Sequence, residues 1–100
     1  MLSPDVKKGW LGELQTEHEE LEAQFETVKE QRKVLEERIG VLKYAARWFA
    51  EAEKPSLRQE AIRRLETMNE RLKDAKGAEK EKGIRSVFVL QLIKYVEKNE

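Results

Sequence analysis

Apolar residues recur every seven positions through nearly half of this chain. Leu14, Leu21, Val28, Leu35, Leu42 and Phe49 fall at one heptad position, d. Leu11, His18, Phe25, Arg32, Ile39 and Ala46 fall at the other, a. The spacing alternates between three and four without a skip from Leu11 to Phe49. On a helix both sets share one face, and such a face must be covered by another helix. The repeat therefore requires a structure made by packing helices side by side.

Composition separates this from its main rival, disorder. Charged residues make up 40% and hydrophobic ones 39% of the 100 residues, with two prolines and five glycines. That balance suits long, solvated helices better than a sheet. A disordered polyampholyte would not keep an apolar period over so many turns.

Ser3-Pro4-Asp5 reads as a helix start, with a capping hydroxyl, a proline suited to the first position and an acid at the positive end of the dipole. The heptads then predict one helix over about residues 4–53, about 72 Å long at 1.5 Å per residue. Gly9, Gly12 and Gly40 lie inside it, and Gly40 is the expected place for a bend. Pro55 ends it. Ser56-Leu57-Arg58-Gln59 reads as a capping box opening a second helix over 56–76, with Gly77 as its stop. Its stripe is Ala61, Leu65, Met68, Leu72 and Ala75. Residues 77–83 read as a charged loop. Residues 84–98 read as a short C-terminal helix. Val87, Phe88, Val89, Leu90, Leu92, Ile93, Tyr95 and Val96 cover almost every direction of its wheel, which implies burial on most sides. A strand is the alternative there, but no second strand exists to pair with it.

The short connection at Pro55 makes the first two helices antiparallel. Phe49 then faces Ala61, Ala46 faces Leu65, Leu42 faces Met68, Ile39 faces Leu72, and Leu35 faces Ala75. Val41, Tyr44, Ala45 and Trp48 widen the face beyond the seam. The expected fold is therefore all-α, a long heptad helix with a helical hairpin and a short C-terminal helix closing a three-helix bundle, within a single domain over 1–100. Alternatively, Tyr44 and Trp48 lie exposed on a partner-binding patch.

The first half of the long helix lacks a clear partner. Its interface residues, Leu11, Leu14, His18, Leu21, Phe25, Val28 and Arg32, are expected to meet a second copy. A parallel homodimer would set Glu17 against Glu22 and Arg38 against Lys43, both repulsive. An antiparallel one sets Glu17 by Arg38, Glu22 by Lys43 and Lys29 by Glu36. The antiparallel homodimer is the expected arrangement. Its competitor is a monomer in which the last helix extends along the N-terminal half.

Little in the chain suggests catalysis. There is no cysteine, which fits a cytoplasmic protein. The N-terminus has no apolar run of the kind a signal peptide carries. The longest apolar run, Val87–Leu90, is far below the ~20 residues of a membrane span. His18 and Glu22 have the spacing of two metal ligands, but no second histidine joins them. His18 and Arg32 read instead as polar seam residues that select register. The expectation is no metal, no cofactor and no enzymatic activity.

Formal charge is zero overall but unevenly spread. Residues 1–40 hold ten acids and six bases, and residues 41–100 hold ten acids and fourteen bases. The function expected is a non-catalytic helical protein–protein interaction module: an adaptor, an assembly factor, or an inhibitor whose acidic stretch 13–26 occupies a basic groove. The runner-up is a nucleic-acid-binding regulator using Arg58, Arg63, Arg64, Arg71, Lys73 and Lys76, although Glu60, Glu66, Glu70 and Asp74 interrupt them. An engineered bundle without a natural role is the third reading. His18, Arg32, Gly9, Gly12 and Gly40 inside helices argue against it.

Overall fold

The computed structural model describes residues 2–98. It contains two helices, α1 over Pro4–Glu51 and α2 over Pro55–Lys98. Ser3 caps α1: its hydroxyl accepts from the Val6 amide at 3.3 Å and its carbonyl from the Lys7 amide at 2.9 Å. The helix passes through Gly9, Gly12 and Gly40 without interruption.

The turn between the helices is closed by the backbone. The Lys54 amide donates to Phe49 O at 2.9 Å and the Glu53 amide to Ala50 O at 3.2 Å. This pair of bonds is a Schellman cap, which needs a left-handed residue between helix and exit. Glu53 supplies it with φ of 55°. Glycine would hold that conformation without the clash between Cβ and carbonyl. Pro55 then takes the first position of α2, and Lys54 is its cap, its carbonyl accepting from the Arg58 amide at 3.0 Å. The expected capping box at Ser56 is thus displaced by two residues. A proline whose ring already fixes a helical φ starts the helix earlier than the serine would.

A larger correction concerns the C-terminal half. The expected loop over 77–83 and the separate short helix over 84–98 are both part of α2, so the described residues form two helices rather than a three-helix bundle. Neither Gly77 nor Gly83 has a positive φ, so neither acts as a helix stop. The stripe of less exposed residues on α2 explains why. It runs through Ala61, Leu65, Met68, Leu72, Ala75, Glu79, Lys82, Ser86, Val89, Ile93 and Val96. The three–four alternation never breaks. Three polar residues hold its middle positions, so a reading of apolar residues alone loses the stripe there.

The chain divides into two compact units. The turn unit, Val28–Gly77, is a helical hairpin around the Glu53 turn. Ile39 and Ala61 are its buried residues, with Leu35, Leu42, Phe49, Leu65, Met68 and Leu72 half-buried along the two stripes. The terminal unit joins Met1–Thr27 to Ala78–Glu100. Its helical segments run antiparallel, since Lys7 Nζ donates to Glu97 O at 3.1 Å while Ser86 Oγ donates to Glu22 Oε1 at 2.5 Å. Leu14, Leu21, Val89, Ile93 and Val96 form the terminal unit's core, with Leu2, Leu11 and Leu92 packed at its edge. Ser86 is buried, and the Glu22 carboxylate satisfies its hydroxyl.

Two predictions follow from the helix and its turn. At Gly77 an added Cβ meets nothing within 4 Å, and at Gly83 it meets the Phe25 ring at an ordinary 3.4 Å. Gly77→Ala and Gly83→Ala should each raise stability by about 1 kcal/mol, the cost of glycine inside a helix. Denaturation midpoints that fall instead would mean those glycines hold non-helical backbone. At the turn, Glu53→Gly should stabilise by roughly 0.5–1 kcal/mol, the relief of the left-handed conformation less the entropy glycine adds to the unfolded chain. A loss of stability in urea unfolding would contradict that account.

Candidate interaction surface

The residues expected to meet a second copy are largely occupied within the chain. Leu11, Leu14 and Leu21 pack with Val89, Leu92, Ile93 and Val96 in the terminal unit. His18 is half-buried on the same stripe, with Nε2 3.6 Å from Glu22 Oε1. Among the described residues no group of three potential ligands could hold a metal ion. Phe25 is half-buried, its ring edge over Gly83. Val28 and Arg32 are half-buried on α1. Arg32 Nη1 donates to both carboxylate oxygens of Glu36, at 3.2 and 3.1 Å.

The residues expected to pair across copies divide in the same way. Glu22 and Glu36 are engaged within the chain by Ser86 and Arg32. Lys29 is half-buried, and Glu17, Arg38 and Lys43 are exposed. The seam of the terminal unit is therefore closed by α2, the arrangement in which the last helix extends along the N-terminal half. The heptad alone did not choose this, because α2's polar positions hid its reach.

What stays open lies on the outer faces. On the turn unit Val41, Tyr44 and Trp48 are 69%, 75% and 57% exposed. They stand three and four residues apart on α1, opposite the seam, with Val34 one heptad before Val41. Trp48 meets Phe49 edge to face at 5.3 Å between centroids, and Lys54 Nζ lies 5.5 Å from the Trp48 ring centre. An ammonium over an indole is held by the ring quadrupole, and it also holds the ring in place. Gly40, Lys43, Tyr44 and Arg47 line one open groove beside the stripe. Glu37, Arg38, Val41, Leu42, Arg64 and Met68 line another. The stripe is thus an apolar and aromatic strip bordered mostly by bases.

The basic residues of α2 form a different kind of surface. Glu60 accepts from Arg63 and from Arg64 Nε, the latter at 3.2 Å. The hydrogen bond from Arg64 lowers the Glu60 pKa, partial desolvation opposes this, and the Arg63 charge adds to the lowering. Two arginines of the nucleic-acid reading are thus partly neutralised by an acid one turn away. A phosphate backbone would have to compete with it.

On the terminal unit Ile84, Val87, Phe88 and Tyr95 are exposed on the back of α2, at 61%, 59%, 63% and 68%. The apolar surround of the C-terminal segment is therefore covered on one side and open on the other. Among the described residues no helix is long and apolar enough to cross a membrane. No protein-family model, no curated protein and no solved structure matches the chain.

The seam assignment can be checked by substitution. Leu21→Ala should cost about 2–5 kcal/mol by removing buried side-chain atoms and leaving a cavity. The cost should persist at dilutions where the chain is monomeric, because the covering residues belong to the same chain. A loss that vanishes on dilution would assign Leu21 to an interface between copies.

Proposed function

We propose that this chain is a non-catalytic helical protein–protein interaction module that acts through the outer face of its hairpin. The carrying observation is the exposure of Val41, Tyr44 and Trp48 beside Arg38, Lys43 and Arg47. Large apolar side chains standing together on a soluble surface carry a hydration cost that a partner removes. Tyrosine and tryptophan offer much contact area for few rotatable bonds, which is why such anchors dominate interfaces. Basic residues at the rim steer an acidic partner and exclude a basic one.

The shape of the surface supports this over catalysis. It is an outer helix face with open grooves, and its charged groups stand in solvent. An adaptor, an assembly factor or an inhibitor can work with such a face, since each needs affinity and orientation only. The test is the double substitution Tyr44→Ser with Trp48→Ser. Both sites are exposed, so melting should change little, within about 0.5 kcal/mol. Affinity for a purified binding protein should fall at least tenfold, read by calorimetry. Unchanged affinity in a folded variant would sink the reading.

A further inference from the structure

The outer face of α1 changes character along its length. Val6, Gly9, Glu13, Thr16, Glu20 and Ala23 form its first half, all exposed. Apart from Val6, which is 56% exposed, they are small or acidic. The Thr16 hydroxyl is engaged by Gly12 O at 3.1 Å, which leaves the methyl for packing. Val34, Glu37, Val41, Tyr44 and Trp48 form the second half, large and flanked by bases. An added Cβ at Gly9 or Gly12 meets nothing within 4 Å. Packing within the chain gives no reason for these glycines, although each costs about 1 kcal/mol in a helix. Close approach of another backbone gives one.

The charges divide as well. The terminal unit holds eleven acids and seven bases, a net of −4. The turn unit holds nine acids and thirteen bases, a net of +4.

We propose that the outer face of α1 in the terminal unit docks antiparallel on the outer face of α1 in the turn unit of a second copy. This rests on the interaction-module reading and names the partner as the chain itself. An antiparallel alignment centred between Val28 and Lys29 lays Trp48 over Gly9 of the second copy. It lays Val41 over Thr16 and Val34 over Ala23, large against small in each layer. Tyr44 meets Glu13, whose carboxylate can accept a hydrogen bond from the phenol. On the flanks Glu17 meets Arg38 and Glu26 meets Lys33. One layer is repulsive, Glu20 against Glu37. A parallel alignment sets the acidic half on the acidic half, so charge selects direction.

The alignment differs from a seam-to-seam coiled coil. The apolar a and d residues stay inside each chain, and only outer positions meet.

The test is sedimentation equilibrium on the full chain. The wild type should shift from 11.8 kDa to twice that mass as concentration rises, and high salt should weaken the shift. Glu17→Lys with Glu26→Lys, and separately Lys33→Glu with Arg38→Glu, should each weaken association at least tenfold. Mixing the two variants should restore it. Gly9→Leu should melt higher than the wild type yet associate at least tenfold more weakly, an outcome that a merely structural role for Gly9 does not give. A wild type that stays monomeric at every concentration overturns the proposal, as does a mixture that fails to associate or a Gly9→Leu chain that dimerises normally. If the wild type is monomeric but Tyr44→Ser with Trp48→Ser still abolishes binding to a different protein, the second-copy assignment falls and the interaction reading stands.

Discussion

Burial of the α1 heptad stripe is the constraint that everything else obeys. A helix of this length gains little from its own hydrogen bonds in water, and tertiary packing of its apolar face supplies most of the stability. Each position of that stripe must therefore find cover. In the turn unit the cover comes from the start of α2, fixed in register by the Schellman cap at Glu53. In the terminal unit it comes from Val89, Leu92, Ile93 and Val96. With the stripe satisfied inside the chain, the apolar residues left exposed lie on the opposite faces. This inverts the usual inference from a heptad repeat, in which the a and d residues are the interface.

How far the sequence shows this depends on where one looks. The helix α1, its serine cap and the direction of α2 are legible, because apolar period and short connection both point one way. The a and d positions from Leu11 to Phe49 are all buried or half-buried. The length of α2 is not legible from apolar residues. Between Ala75 and Val89 the stripe passes through Glu79, Lys82 and Ser86, and two glycines, Gly77 and Gly83, lie within the stretch. Glycine near a charged run resembles a helix end, and glycine is tolerated in a helix when neighbouring turns carry it. The signal that survives is the phase. Counting positions in steps of three and four from Ala61 reaches Val89, Ile93 and Val96 without adjustment. A period that persists across polar residues is evidence for one helix, since a loop of arbitrary length would shift it.

The same phase explains the outer face. A helix apolar all round suggests burial all round. In α2 the apolar residues after Ile84 belong to two faces, and only the seam face is covered. Tyr44 and Trp48 are exposed because the described residues form no third helix to cover them. Leu11, Leu14 and Leu21 find cover within the chain for one reason, the reach of α2 that its polar stripe positions hide.

Two exposed apolar stripes could also be thought to pair with each other, the one on the back of α2 with the one on α1. Electrostatics argues against it. Ile84, Val87, Phe88 and Tyr95 are flanked by Lys80, Arg85, Lys94 and Lys98, with Glu97 and Glu81 the nearby acids, the latter already 3.5 Å from Arg85. Val41, Tyr44 and Trp48 are bordered by Arg38, Lys43 and Arg47. Joining them would bring two basic rims together while removing water that screens them, and close like charges across an interface are costly. The chain's excess acids lie instead on α1 between Glu13 and Glu26, beside Gly9 and Gly12, where an added Cβ meets nothing within 4 Å. Shape and charge thus both favour the outer face of α1 in the terminal unit as the complement in the self-association we propose.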